Sequence, residues 1–239
     1  MNLPAGNTIL TERDIELFSY LNEQKFMVSS QIYEIFWPQS EVRSGTARQR
    51  LTKLVESGYI KIVIVKDPKK ETELRLFVLT EKGINELRKR KLDRGFSELS
   101  SINHVLVEHS LKIVNVRAIF RELGQKNWRS ERLIRKEDSN RGWYPDGALD
   151  VSGFKIAIEV ENSFREKSRY IRRFKHYAEN QEFGLAIFIL SWPSVKSWIF
   201  DLDAPQDKIC FVNYETLLKK RGDAELENKT SSIKLSSIL

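Results

Sequence analysis

Thr46-Ala47-Arg48-Gln49-Arg50-Leu51-Thr52-Lys53-Leu54-Val55, with Gly58 just beyond, reads as a helix with two unlike sides. Ala47, Leu51, Leu54 and Val55 recur at i, i+4, i+7 and i+8, the spacing of one buried face at 3.6 residues per turn. Arg43, Thr46, Gln49, Arg50 and Lys53 fall away from that face, and no acidic residue interrupts the run between Glu41 and Glu56. Upstream, Thr11 followed by Glu12 and Asp14 predicts a helix start, with Ile15, Leu17, Phe18 and Leu21 as its apolar face. Ser29 or Ser30 caps a second helix carrying Ile32, Ile35 and Phe36, which stops at Trp37-Pro38 because proline disfavours a helical residue before it. Ser40 to Ser44 reads as a loop. Downstream, Tyr59 to Val65 and Glu73 to Leu79 read as two strands around Asp67-Pro68-Lys69-Lys70, a hairpin with a basic tip. Leu79-Thr80-Glu81-Lys82-Gly83 then leads into another basic helix, Ile84 to about Lys91.

Three helices followed by a two-stranded hairpin is the order of winged helix-turn-helix domains. Gly58-Tyr59-Ile60 through Leu79-Thr80-Glu81-Lys82-Gly83 resembles that family, over about residues 8 to 91. The resemblance implies that the third helix lies in the major groove of duplex DNA, with Gln49 and Arg50 at base edges and Lys53, Lys69 and Lys70 at phosphates; Arg43 and Thr46 share that face. A run of Arg and Lys on one helix is most often a solvated surface. The acid-free helix, the basic hairpin tip and the element order together favour DNA. A protein-binding version of the fold would expose aromatic or aliphatic side chains on the face that is polar here.

In the second half, Asn103 to Leu123 is helical and apolar enough to be largely buried. Its His104 and His109 lie five apart, which does not place them on one face as a metal pair requires. Trp128 to Arg135, Asp146 to Val151 and Lys155 to Asn162 read as three strands, separated by Ser139-Asn140-Arg141-Gly142 and Ser152-Gly153. Ser163 and Glu166 form a capping box for a helix reaching about Asn180. Tyr170, Ile171, Phe174, Tyr177 and Ala178 make its inner face; Arg165, Arg169, Arg172 and His176 lie outward. Gly184 to Leu190 and Lys208 to Val212 are two further buried strands.

The chemistry is carried by Pro145-Asp146 and Glu159-Val160-Glu161. Side chains alternate along a strand, so Glu159 and Glu161 share a face, and two buried carboxylates need a cation or a partner. A metal, or the downstream Arg165, Lys167 and Arg169, is the expected compensator. Helix, three strands, helix, strand is also the order of the PD-(D/E)xK nuclease core, which residues 103 to 213 resemble. That resemblance implies that Asp146 and Glu159 hold Mg²⁺ and that a lysine two residues later activates water; here that position is Glu161. Asp146, Glu159 and Glu161 are accordingly the catalytic candidates, with Asp146 and Glu159 as metal ligands. Some restriction enzymes also carry a glutamate at the lysine position, and Lys155 or Lys167 would serve as a migrated positive charge. The opposing reading puts the two glutamates on a solvent-facing edge strand, or pairs them with arginines in a core without catalysis.

The combination, including Tyr144-Pro145-Asp146-Gly147-Ala148 and Ile158-Glu159-Val160-Glu161-Asn162, resembles the replication-relaxation family of plasmids and integrative elements. Transposon-end nucleases with an attached winged helix are a second comparison. The fold expected is α/β (α+β): a winged helix-turn-helix over residues 8–97, a restriction-endonuclease-like domain with a mixed central sheet over 98–220, and a polar tail over 221–239. What the resemblance implies is a site-specific double-stranded DNA-binding protein of a bacterial plasmid or mobile element, acting in replication, mobilisation or their control. Two alternatives stay open: a Mg²⁺-dependent endonuclease directed by its winged helix, and a transcriptional regulator whose second domain dimerises. Arg165, Arg169 and Arg172 add DNA contacts in the first reading. Duplex DNA, a second copy of the chain, and replication or mobilisation proteins are the expected partners.

Forty basic against thirty-three acidic residues, a net charge of +7, suit a polyanionic partner. The single cysteine, Cys210, excludes an internal disulfide framework and fits a reducing cytoplasm. No run of about eighteen apolar residues occurs and no leader-like segment opens the chain, so neither export nor membrane insertion is expected.

Overall fold

The computed structural model describes residues 8–43, 45–66, 72–139, 142–162, 166–192 and 198–239. The chain divides into two compact units, with the boundary between Val114 and Asn115 rather than at 97/98.

The first unit opens with α1, Glu12–Gln24, whose start is fixed reciprocally: the Thr11 amide donates to Asp14 Oδ2 at 2.7 Å and the Asp14 amide to Thr11 Oγ1 at 3.4 Å. Helix α2, Ser29–Phe36, stops as expected where Trp37 turns extended ahead of Pro38. The expected loop after it contains a short helix, α3, Gln39–Arg43, because the Pro38 carbonyl accepts from the amides of Glu41 and Val42. Arg43 is therefore separated from the helix it was grouped with. That helix, α4, Thr46–Glu56, begins after Gly45, whose φ of +80° suits glycine. Strands β1, Ile60–Lys66, and β2, Glu73–Leu79, pair antiparallel from Ile60 with Leu79 to Lys66 with Glu73. The turn carrying Lys69 and Lys70 lies outside the described residues. Helix α5, Glu81–Lys89, is capped by Thr80.

Leu17, Phe18 and Leu21 of α1, Ile32 of α2, and Leu51 and Leu54 of α4 pack on Ile60, Phe77 and Leu79 of the hairpin and on Ile84 and Leu87 of α5. Each such side chain contributes about 2 kcal/mol by leaving water. The other face of the hairpin is covered too: Val65, Leu76 and Val78 meet Phe26, Leu99, Ile102, Val107 and Leu111. Coverage on both sides explains why Leu76 to Leu79 are all buried, without the alternation of a half-solvated strand.

Helix α6, Val107–Glu122, contains the boundary. The second unit holds a mixed sheet in the order β3 Arg129–Ser130, β4 Gly147–Val151, β5 Phe154–Glu161, β6 Leu185–Leu190, β7 Ile209–Asn213, β8 Glu225–Glu227, β9 Ser232–Lys234. Pairing is antiparallel from β3 to β5, parallel from β5 to β7 and antiparallel again to β9. Three more helices are described: α7 Glu131–Glu137, α8 Lys167–Glu179 and α9 Tyr214–Lys220. Through Tyr170, Phe174 and Tyr177, α8 covers Phe188 of β6 and Phe211 of β7, with Phe174 edge-on to both rings at 5.3 and 5.7 Å.

Two expectations change here. Trp128 to Arg135 is a two-residue strand followed by a helix: Ser130 Oγ caps the Leu133 amide, Glu131 pairs with Arg135 one turn on, and Leu133 and Ile134 alone turn inward. Residues 221–239, read as a polar tail, contribute β8 and β9, held by the buried Ala224, Leu226 and Leu235 and by the Leu235 amide donating to Ala224. The helix expected from Ser163 starts at Lys167, and Ser163 is outside the described residues. Among the described residues no helix is long and apolar enough to cross a membrane.

Candidate functional site

Three carboxylates meet where β4 begins and β5 ends. Gly147 pairs with Ile158, so the antiparallel register sets Asp146 beside Glu159. Asp146 Oδ2 accepts from the Val160 amide at 2.7 Å, and its carbonyl accepts from the Glu131 amide. A side chain at 147 would strike the indole of Trp128, a Cβ lying 2.0 Å from it, so glycine lets β4 run this close. Strand β5 is central, flanked by β4 and β6, which rules out the edge-strand reading. Glu159 is 0% and Glu161 2% exposed. Both turn toward α8, as alternation along a strand predicts.

On α8 the side chain that meets them is Arg173. Its Nη2 donates to Glu159 Oε2 at 2.8 Å, and its Nη1 pairs with Glu161 Oε1. The other Glu159 oxygen accepts from Trp143 Nε1 at 2.9 Å and from the Tyr177 hydroxyl. The guanidinium carbon lies 4.6 Å from the centre of the half-buried Trp143 ring, a cation–π contact. Burial pushes Glu159 up to about 7; Arg173 pulls it back and Asp146 pushes it further. Burial, then the Glu159 charge, raises Tyr177 well above its ordinary value.

Sequence reasoning missed Arg173, Trp143 and Tyr177 as members of this cluster. Of the expected compensators, Lys167 is exposed near the Trp198 ring, Arg169 is exposed and Lys155 pairs with Glu182 at the far end of β5, while Arg165 is outside the described residues. A signal was present, since Arg173 falls in the i, i+3, i+4, i+7 series of Tyr170, Phe174 and Tyr177, all four buried.

Mg²⁺ requires hard oxygen ligands with water completing a near-octahedral shell. Here Glu159 is engaged by three protein donors, Glu161 faces the same guanidinium, and Asp146 holds a backbone amide. Among the described residues, no group of three or more His, Cys, Asp or Glu side chains is placed to hold a metal ion. The cluster as built fits a guanidinium and not a magnesium ion. A separate cavity of about 320 Å³ opens at the ends of β6 and β7, lined in part by Leu190, Trp192, Phe211 and Lys220, and contains none of the expected site residues.

The second candidate surface is the outer side of α4. Thr46, Gln49 and Lys53 are exposed along it, with Arg48 and Thr52 beside them, and Glu56 ends the acid-free stretch. Arg43 is exposed on α3. Arg50 does not join them: its Nε donates to Asp14 Oδ1 at 3.0 Å, its Nη2 to Asp14 Oδ2 and, at 2.8 Å, to the Ile9 carbonyl. Beside Leu51 and one turn from Ala47, Arg50 flanks the buried stripe instead of opposing it. Asp14, 1% exposed, thus serves both the α1 cap and this pair. Its carboxyl is held below the usual range: burial acts upward, and the hydrogen bonds from Arg50 and Thr11 outweigh it. Arg169 and Arg172 are exposed on the outer side of α8, with Lys175 alongside.

Compared with known proteins, residues 18–185 match the sequence model described as replication-relaxation, a span that includes both the α4 surface and the carboxylate cluster. No curated protein and no solved structure matches the chain.

Proposed function

Because the chain belongs to the replication-relaxation family, we propose that it is a site-specific double-stranded DNA-binding protein of a bacterial plasmid or other mobile element, acting in replication, mobilisation or their control. In this reading the first unit is a winged helix-turn-helix: α4 enters the major groove and the β1–β2 hairpin follows the backbone. The observation that supports it most is the outer side of α4, where Thr46, Arg48, Gln49, Thr52 and Lys53 are exposed ahead of any acid while Ala47, Leu51 and Leu54 fix the helix from beneath. Gln49 has the amide geometry to pair with an adenine edge, and Lys53 and Arg48 supply charge for phosphates. Arg50, tied to Asp14, positions the helix rather than reading bases.

The second unit, in this reading, is a nuclease-like scaffold whose α8 offers Arg169, Arg172 and Lys175 to a neighbouring stretch of backbone. A homodimer on two half-sites and contacts with replication or mobilisation proteins complete the picture. Cleavage by Asp146, Glu159 and Glu161 with Mg²⁺ is the less supported reading, because the donors around Glu159 are those of a closed ion-pair cluster.

Fluorescence anisotropy tests the proposal, with fragments of the element's own replication and transfer regions against random duplex, over a salt series. Tighter binding to one fragment, weakened by Gln49→Ala and with a salt slope reduced by Lys53→Ala, is expected. Equal affinity for every fragment, unmoved by either substitution, would exclude α4 as the reading element.

A further inference from the structure

We propose that the cavity at the ends of β6 and β7 is a binding site for one unpaired nucleotide whose base carries an exocyclic amine. Parallel strands β6 and β7 both finish here, at Leu190 and Asn213, and the carboxyl ends of parallel strands are where open α/β sheets take their ligands. The volume, about 320 Å³, lies at the small end of the range for small-molecule sites and gives room for a single nucleotide. The walls are set before any ligand arrives. Asn213 ties the end of β6 to the start of α9: its Nδ2 donates to the Leu190 carbonyl at 3.3 Å and its Oδ1 accepts from the Thr216 amide at 3.1 Å. Phe211 is held edge-on by Phe200, with ring centres 5.3 Å apart. Trp192 Nε1 donates to the Asn162 carbonyl at 3.1 Å, which tethers the indole while the residue stays exposed to water. A tethered, exposed indole beside Leu190 and Phe211 is a stacking surface for a planar ring.

The charged groups narrow the choice of ligand. Leu226 turns into the core, so Glu225 and Glu227 share the other face of β8 and line the cavity, and Lys220 reaches it from α9. Carboxylates accept hydrogen bonds and donate none. They suit the amines of adenine, cytosine and guanine and disfavour thymine, whose edge presents carbonyl oxygens in their place. The Lys220 ammonium complements a phosphate. A purely apolar ligand would take water from three charged side chains without replacing it, and the cationic side chain of a partner protein would meet Lys220. An amino-bearing base with one phosphate gives the indole, the acids and the ammonium each a complement. A free mononucleotide and an unpaired position of a DNA strand share this chemistry.

Isothermal titration calorimetry on the full chain tests this independently of duplex binding by α4. The probes are the monophosphates of deoxyadenosine, deoxycytidine, deoxyguanosine and thymidine, deoxycytidine itself, and a single-stranded trinucleotide of deoxycytidine. The three amino-bearing monophosphates are expected to bind saturably, and thymidine monophosphate about tenfold or more weakly. Trp192→Ala should weaken binding roughly ten- to a hundredfold, and Glu225→Gln with Glu227→Gln should erase the discrimination against thymidine. Lys220→Ala should weaken the monophosphates and leave deoxycytidine unchanged. Trp192, Lys220 and Glu225 are exposed, so these variants are expected to fold, and a melting point matched to the unsubstituted chain checks each. Tighter binding of the trinucleotide than of the monophosphate identifies a strand as the source, and equal or weaker binding a free nucleotide; either upholds the proposal. No heat of binding from any nucleotide at millimolar concentration overturns it, as does binding that is equal for thymidine monophosphate or indifferent to Trp192→Ala.

Discussion

Asp14 with Arg50 in the first unit and Glu159 with Arg173 in the second are the same device with opposite outcomes. In each, an arginine from one helix meets a buried carboxylate of another element. Asp14 has an arginine to itself, plus the Thr11 amide and hydroxyl, and Arg50 keeps 21% of its side chain in contact with water. Glu159 shares its arginine with Glu161, lies beside Asp146, and has a partner only 10% exposed. The carboxyl goes down in the first case and up to about 7 in the second. An arginine at hydrogen-bonding distance therefore does not set the direction; the ratio of acids to cations and the water left at the pair do.

The largest effect expected from this contrast is on the first unit. Arg50→Ala would leave Asp14 buried without its cation and cost about 2–4 kcal/mol, read as a lower urea midpoint at pH 7. If stability holds and sequence preference collapses instead, Arg50 reads bases and the pairing of the two sites is broken. Next comes pH. A carboxyl raised in the folded state keeps its proton longer than in the unfolded chain, so the second unit should lose on the order of 2–3 kcal/mol as pH rises from about 4.5 to about 7. A carboxyl lowered in the folded state gives the reverse: the Asp14 contribution is present at neutral pH and is lost only as pH falls below the ordinary aspartate range near 3.8. Hydrogen exchange resolved by unit at pH 3, pH 5 and pH 7.5 checks both signs: the first unit should weaken between pH 5 and pH 3 and the second between pH 5 and pH 7.5, and a common response of the two units would refute the distinction.

Smaller still is Glu161→Gln, which removes one of the two carboxylates that share Arg173. It should be neutral or stabilising by about 1 kcal/mol at pH 8, where a site short of acids would instead be weakened. Thermal melts of this variant against Asp14→Asn, which should destabilise, sharpen the comparison most directly. The smallest change is outside both pairs: Lys53→Ala should leave folding untouched and lower the salt slope of DNA binding by about 1.

What was legible in the sequence followed from periodicity. Ala47, Leu51 and Leu54 announced α4, and the two apolar runs around Lys69-Lys70 announced the hairpin. Glu159 and Glu161 could be placed on one face because a strand alternates. Shorter segments defeated the same reasoning. In α7 only Leu133 and Ile134 are buried, too few to establish a helical period, and α3 has no buried residue at all. Arg173 was hidden for a different reason. Among Arg165, Arg169, Arg172 and Arg173 composition gives every arginine the same outward preference, and only its register with Tyr170 and Tyr177 singles it out. Arg50 misled in the opposite way, since a basic residue on a polar-looking helix reads as free until the acid at Asp14, 36 positions earlier, is brought beside it.

The borders of the sheet in the second unit bear on how copies of the chain assemble. One border, β3, is two residues long, and the other, β9, is three residues ending in Lys234, which is paired to Asp223. Strands this short, one of them charged, give an incoming strand too few amide and carbonyl groups to dock against. Among the described residues, neither border of this sheet therefore offers a template on which the same sheet of a second copy could continue, and association of the second unit through its sheet edges is disfavoured.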